Sequence, residues 1–79
     1  YAEAGIRING IMPGPIATPM MERVSQMVPG AEEQFVSVTA VKRVGQPEEI
    51  ADAVLWLFSD ESSFVNAAIV PVDGGMIAV

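Results

Sequence analysis

The sequence contains neither cysteine nor histidine, and these two absences exclude several classes of site. Without cysteine the chain has no disulfide framework and no thiolate metal ligand. Without histidine it lacks the commonest general base and the commonest metal ligand. Only four of the 79 residues are basic, against ten acidic ones, and the net charge is −6. That balance argues against a nucleic-acid-binding surface, which needs clustered lysine and arginine.

Long apolar runs are missing too, although 51% of the residues are hydrophobic. No run approaches the ~18 residues of a membrane span, and no basic segment precedes an apolar one as in a signal peptide. We therefore expect a cytoplasmic location and no membrane partner. Such an apolar fraction in a small chain indicates faces that another polypeptide covers. Because the sequence starts with Tyr1 rather than Met, it predicts a piece of a larger protein or a subunit that never exists alone.

Two apolar segments separated by helical ones predict an α/β fold with parallel strands and a right-handed crossover. Each strand is apolar on both faces, which is typical of a sheet covered on both sides. The predicted elements in chain order are a helix end (1–5), a strand (6–12), a turn (13–18), two short helices (19–38), a helix (47–59) and a last strand (67–72).

The turn at 13–18 is the candidate binding edge. It is rich in proline and glycine, and Thr18 followed by Pro19 predicts a capped helix start. Ligands of open α/β sheets bind outside the carboxyl ends of the strands, where this turn would lie. On its own spacing, however, the turn is more typical of a plain strand-to-helix connection with a threonine cap.

Four motifs occur in register along the chain. They are Gly5-Ile6-Arg7-Ile8-Asn9, Pro13-Gly14-Pro15-Ile16-Ala17-Thr18, Arg43-Val44-Gly45-Gln46-Pro47-Glu48-Glu49-Ile50-Ala51 and Val72-Asp73-Gly74-Gly75. Together they resemble the C-terminal third of the short-chain dehydrogenase/reductase family. The resemblance implies the last two strands of a Rossmann-type sheet. It also implies a parent oxidoreductase that transfers hydride between NAD or NADP and a small carbonyl or alcohol substrate.

The resemblance implies specific roles in the turn. Pro13 and Gly14 would border the nicotinamide ring, and Ile16 would offer its backbone N–H and C=O to the carboxamide. Thr18 would offer its hydroxyl to the carboxamide or the pyrophosphate. The family's catalytic Ser and Tyr-x-x-x-Lys lie upstream, and Tyr1 is followed four residues later by Gly5 rather than Lys. The chain is therefore expected to hold no catalytic residue, and we predict no metal site.

Two more surfaces are implied by the resemblance. The helices over 19–38 correspond to a mobile substrate lid, and ordinary core packing is the alternative for their methionines. The last helix and strand correspond to a subunit contact in a homo-oligomer, a dimer or tetramer, and packing on their own sheet is the alternative. The predicted lid residues are Met20, Met21, Val24 and Met27. The predicted interface residues are Trp56, Phe58, Val70 and Val72.

Single positions carry further expectations. Arg7 is expected to pair with a carboxylate, and Asp73 to form a turn. Glu48 and Glu49 are expected to stabilise the start of their helix through its dipole. Ala67 stands where relatives usually have glycine, so it should bear the cost of any close approach or positive φ there.

Two functions of other classes compete with the oxidoreductase. One is a truncated, non-catalytic module that acts through a self-association interface, since every catalytic group is absent. The other is a small carrier of apolar ligands built on the methionine-rich helices.

Overall fold

The computed structural model describes residues 1–78, which form a two-stranded parallel sheet and three α-helices. Strand β1 (Gly10–Pro13) pairs with β2 (Ile69–Val72) in a register that runs from Gly10–Ile69 to Pro13–Val72. Single 3₁₀ turns cover Ala2–Ala4 and Asp60–Ser62. The helices between the strands are α1 (Pro19–Met27), α2 (Ala31–Ser37) and α3 (Pro47–Phe58).

Both strands are shorter than the apolar pattern predicts. The strand expected over 6–12 begins only at Gly10, and the one expected over 67–72 begins at Ile69. Asparagine side chains explain the late start. The N–H of Ile8 donates to Asn66 Oδ1 at 3.1 Å, and the N–H of Ala68 donates to Asn9 Oδ1 at 2.9 Å. These side-chain acceptors replace ladder bonds, as Asn commonly does.

The helix limits follow from local chemistry. Thr18 Oγ1 accepts from the N–H of Met21 at 3.2 Å, which confirms the predicted cap of α1. Gly30, with φ 84°, separates α1 from α2. The second helix ends at Ser37, one residue earlier than predicted, and α3 ends at Phe58 with Ser59 as its C-cap.

Ala67 adopts a left-handed backbone conformation just before β2. Its φ is 57°, which alanine rarely adopts because its Cβ approaches the backbone. The N–H of Ala67 donates to the carbonyl of Ile8 at 2.8 Å, and that bond ties the strained residue to the approach of β1. The expected cost of alanine at this position is therefore real.

Replacing Ala67 with glycine is expected to stabilise the protein by up to about 1.5 kcal/mol. Relief of the left-handed strain is worth about 1–2 kcal/mol, and the greater entropy of an unfolded glycine takes back about 0.4–1 kcal/mol. Urea unfolding of Ala67→Gly beside the unsubstituted protein measures the balance. A matched Ala68→Gly change, at a position with no positive φ, should destabilise instead.

The described residues enclose very few side chains. Ala31 is 5% exposed, whereas Phe58 and Phe64 are 82% and 102% exposed. The fully buried side chains within 1–78 are the small polar ones of Thr39 and Ser62. The radius of gyration is 15.2 Å, against roughly 12 Å for a compact domain of this length. The apolar faces of β1, β2 and α3 therefore lie open in residues 1–78. No helix in this part of the chain is long and apolar enough to cross a bilayer.

Candidate functional site

The turn at 13–18 leaves the sheet at the carboxyl end of β1, and Gly14 sets its path. The N–H of Gly14 donates to the carbonyl of Val72 at 3.0 Å, which carries the parallel ladder up to the turn. A Cβ on Gly14 would lie 2.7 Å from Asp73 Cα and 2.8 Å from Asp73 Cβ. This approach needs a residue without a side chain. Pro13 is exposed at the strand end, and Gly14, Ile16 and Thr18 are half-buried.

Ile16 lies in a short bridge that leaves its own backbone groups free. Gly45 donates its N–H to the carbonyl of Pro15 and accepts from the N–H of Ala17, both at 2.8 Å. In a parallel bridge the residue between two such bonds points its N–H and C=O the other way. Neither group of Ile16 has a hydrogen-bond partner within residues 1–78. One donor and one acceptor are therefore presented side by side, which matches a primary carboxamide.

Thr18 stands two residues further on and keeps one polar function unused. Its Oγ1 accepts the N–H of Met21, so the lone pair serves the helix cap. A hydroxyl is also a donor, and its hydrogen rotates to suit a partner. The Thr18 hydroxyl can therefore cap α1 and donate to a ligand at the same time. The N–H of Met20, in the first turn of α1, adds a donor at the positive end of the helix.

The motif at the start of α3 forms a compact polar cluster. The guanidinium of Arg43 donates to both carboxylate oxygens of Glu49, at 2.8 and 2.9 Å. Glu49 Oε1 also accepts from the N–H of Gln46 at 2.9 Å. These hydrogen bonds, that of Arg43 first, lower the pKa of Glu49 from 4.5 to about 2. Glu49 thus binds the Arg43 guanidinium and the N–H of Gln46, in addition to its position in the first turn of α3. The Glu48 side chain makes no hydrogen bond within residues 1–78.

Glu49 is expected to make stability fall as the pH drops from about 4.5 to about 2. Its folded pKa is lower than its unfolded one, so the stabilisation is complete above the unfolded value and is lost on protonation. Urea unfolding at pH 2–6 measures the slope. Glu49→Gln should flatten the dependence of stability on pH in that window. Glu48→Gln, with the same change of charge in the same helix turn, should leave that dependence unchanged. Equal slopes in the two variants would contradict the assignment.

The motif at 72–75 forms the turn after β2, where Asp73 was predicted to be a turn-forming residue. Asp73 Oδ1 accepts from the N–H of Gly75 at 2.9 Å, and Oδ2 accepts from the N–H of Ile77 at 3.2 Å. Gly74, with φ 62°, offers its carbonyl to the N–H of Ala40 at 2.8 Å. Asp73 is therefore a turn former, which confirms the prediction, and its carboxylate is occupied by backbone.

The expectation for Arg7 is wrong, because its partners are carbonyls rather than a carboxylate. Nη2 donates to the carbonyls of Leu57 and Ser59 at 2.9 and 3.2 Å. Nη1 donates to the carbonyl and hydroxyl oxygens of Ser62 and to the carbonyl of Val65, at 2.9 to 3.2 Å. The guanidinium thus joins the C-terminal end of α3, where a cation is favoured, to the segment that follows it.

Helices α1 and α2, the predicted lid, form with the turn an open apolar cavity of about 240 Å³. It brings together three of the four predicted lid residues but not Met27, which is 80% exposed at the end of α1. Phe35 of α2, which sequence reasoning missed, completes the wall. Its helical position gave no signal, because the path of α2 across α1 is a tertiary feature. The cavity is lined by Ile16, Thr18, Met20, Met21, Val24 and Phe35.

The predicted interface residues divide between two environments. Trp56 and Phe58 of α3 are 45% and 82% exposed. Val70 and Val72 lie on the half-buried face of β2, and its exposed face carries Ile69 and Pro71. Within residues 1–78, no group of three or more acidic side chains is arranged to hold a metal ion.

Comparison with known proteins decides the family. The family profile described as Enoyl-(Acyl carrier protein) reductase matches residues 1–77. Levodione reductase from Leifsonia aquatica is 48% identical and aligns with 99% of this chain.

The chain belongs to the short-chain dehydrogenase/reductase family.

Solved structures of this family agree. A provisionally named 2-deoxy-D-gluconate 3-dehydrogenase from Agrobacterium tumefaciens, with bound NADP, has a TM-score of 0.91 and 33% identity over 99% of this chain. A 3-oxoacyl-[acyl-carrier protein] reductase from Brucella melitensis, with bound NAD, has a TM-score of 0.81 and 43% identity over 95% of this chain.

The match covers only part of each relative. The chain spans 31% of levodione reductase, 31% of the Agrobacterium protein and 25% of the Brucella protein. Its two-stranded sheet and three helices are thus the short-chain dehydrogenase/reductase counterpart of a segment of a Rossmann-type fold, as the resemblance implied.

Proposed function

We propose that this chain is the C-terminal portion of an NAD(P)-dependent oxidoreductase and supplies the nicotinamide side of its cofactor site. The observation that carries the proposal is the free N–H and C=O of Ile16, beside the Thr18 hydroxyl, at the carboxyl end of β1. Family relatives with bound NADP and bound NAD support it. The bound dinucleotide supplies the hydride, and this chain's residues bind and orient its nicotinamide end.

Each residue of the turn has a separate task in this proposal. Ile16 holds the carboxamide through its two backbone groups, and Pro13 and Gly14 border the ring. Thr18 donates its hydroxyl hydrogen to the carboxamide or the pyrophosphate. The proton-transfer residues belong to the part of the enzyme upstream of this segment, so residues 1–79 contribute no acid or base.

The lid helices contact the substrate in the same proposal. Their cavity is lined almost wholly by apolar side chains, with the Thr18 hydroxyl as its polar member. We therefore assign the part of the substrate that reaches α1 and α2 as apolar and uncharged. Met20, Met21 and Val24 contact it together with Phe35, whereas Met27 lies outside the cavity. The reacting group is a carbonyl or alcohol.

A cofactor titration of the complete protein that contains this chain tests the proposal. NADH or NADPH is expected to bind saturably, and the upstream sequence to contain a glycine-rich loop and Tyr-x-x-x-Lys. Thr18→Asp keeps a good helix cap but loses the hydroxyl donor, so it should bind dinucleotide more weakly at nearly unchanged thermal stability. Thr18→Ser is the matched control and should behave like the unsubstituted protein. Absence of saturable binding of both dinucleotides would contradict the proposal.

A homo-oligomer in the cytoplasm is the quaternary and cellular part of the proposal. Trp56 and Phe58 expose large apolar surface on α3, and Ile69 exposes more on β2. Apolar surface of this kind is typical of a contact between subunits, and Val70 and Val72 lie in the same edge strand. Native mass measurement should give a dimer or tetramer, and Phe58→Ser should shift it toward the monomer.

The same exposed surface also supports the non-catalytic module as a second candidate. That function predicts an oligomer that binds no dinucleotide. The titration above therefore separates the two functions, because only the oxidoreductase portion binds NADH or NADPH.

A further inference from the structure

We propose that the Arg43–Glu49 ion pair positions the nicotinamide-binding backbone of Ile16 and thereby tunes the affinity for the dinucleotide. The inference rests on the proposed function of the turn. It assigns a role to two side chains that make no hydrogen bond to the turn and lie 27 and 33 residues beyond Ile16 in the sequence.

The first step is the attachment of segment 43–46 to α3. Both oxygens of Glu49 bind the guanidinium of Arg43, and one of them also holds the N–H of Gln46. Arg43 Nη1 further donates to the carbonyl of Val44 at 3.1 Å. A two-pronged arginine–carboxylate contact restricts orientation as well as distance. Glu49 therefore holds segment 43–46 at both of its ends, Arg43 and Gln46.

The second step is the transfer of this order to the turn. Gly45 lies inside the fixed segment, and its N–H and C=O bind Pro15 and Ala17 on either side of Ile16. A Cβ on Gly45 would lie 2.9 Å from Ile16 Cδ1, so the two residues are in direct contact. The direction in which Ile16 presents its free N–H and C=O thus depends on where Gly45 sits.

The third step is the proximity of the ion pair to the turn. Pro15, Ile16 and Gly45 line one cavity of about 100 Å³ together with Arg43 and Glu49. Within residues 1–78, Arg43–Glu49 is the one salt bridge in the structure. Because both side chains are partly exposed, an effect on affinity of about two- to fivefold is the range that such a pair can transmit.

Binding measurements on the complete protein can separate positioning from a general loss of structure. We would titrate Arg43→Met and Glu49→Gln with NADH or NADPH, whichever binds the unsubstituted protein. The second probe is ADP-ribose or its 2′-phosphate, which lacks the nicotinamide. Glu48→Gln is the matched control, since it removes the same charge from the same helix turn without touching Arg43.

The expected result is a two- to fivefold rise in the Kd of the dinucleotide, about the effect of an exposed pair, with the Kd of the nicotinamide-free probe unchanged. Arg43→Lys should restore part of the affinity, and Glu48→Gln should bind like the unsubstituted protein. Equal weakening of both probes, or no weakening, would overturn the inference while leaving the proposed function intact. If the unsubstituted protein binds ADP-ribose but neither dinucleotide more tightly, the nicotinamide role of the turn itself fails.

Discussion

Gly14→Ala is expected to destabilise the protein by about 3 kcal/mol, at the upper end of the range for overpacking. The new methyl group would meet the Cα, Cβ and carbonyl oxygen of Asp73 at 2.7, 2.8 and 3.0 Å. Two of these atoms are backbone, so no side-chain rotation relieves the contact. The end of β1 must move away from β2, and the turn that follows moves with it.

A matched control lies in the same strand. A Cβ on Gly10 would meet only Ile69 Cγ1, at the ordinary distance of 3.8 Å. Gly10→Ala should therefore be neutral or stabilise by up to about 1 kcal/mol, because alanine lowers the entropy of the unfolded chain. Chemical unfolding of the two variants of the complete protein measures the difference. Similar stabilities of Gly14→Ala and Gly10→Ala would contradict the prediction, because they would mean that β1 moves away from Asp73 at little cost.

Arg7→Met is expected to cost at least about 3 kcal/mol. The guanidinium makes five hydrogen bonds to oxygens of residues 57–65. Hydrogen bonds from a charged donor contribute about 1.5–3 kcal/mol each, although bonds that share one group do not add fully. The substitution also removes the group that joins the end of α3 to the segment ending at Val65.

Arg23→Met is the control for this prediction. Arg23 is exposed on α1, and its side chain makes no hydrogen bond within residues 1–78. The same loss of charge there should change stability by less than about 0.5 kcal/mol. Amide exchange gives a local readout, because the N–H of Val65 donates to the carbonyl of Ser62 at 2.9 Å. That amide should lose protection in Arg7→Met, and unchanged protection would contradict the role of Arg7.

Features determined by neighbouring residues could be predicted from the sequence. The cap by Thr18, the break at Gly30 and the turn formed by Asp73 each depend on contacts within a few positions. A cost at Ala67 was likewise expected, from either a close approach or a positive φ, and the structure shows the positive φ. Family motifs then identified the segment of the fold and the candidate turn.

Features determined by distant partners could not be predicted. The late start of β1 depends on Asn66, 58 residues from its partner Ile8. The free backbone of Ile16 depends on Gly45, which no local pattern connects to the turn. Arg7 was misassigned because an isolated arginine in a sequence suggests a carboxylate, whereas a helix end offers several carbonyls at once. Phe35 entered the lid cavity through the packing of α2 on α1.

The parallel register of the sheet has a consequence for synthesis of the chain. Gly10 pairs with Ile69, so 59 residues separate the two halves of the first ladder position. At about 5–20 residues per second, translation needs roughly 3–12 s to produce β2 after β1. During that interval α1, α2 and α3 can form from local contacts, while this edge of β1 and the guanidinium of Arg7 still await their partners. Pairing of sequence-distant segments is also the slow kind of folding step. The turn at 13–18 therefore acquires its final geometry only after β2 has been made, because the N–H of Gly14 binds the carbonyl of Val72.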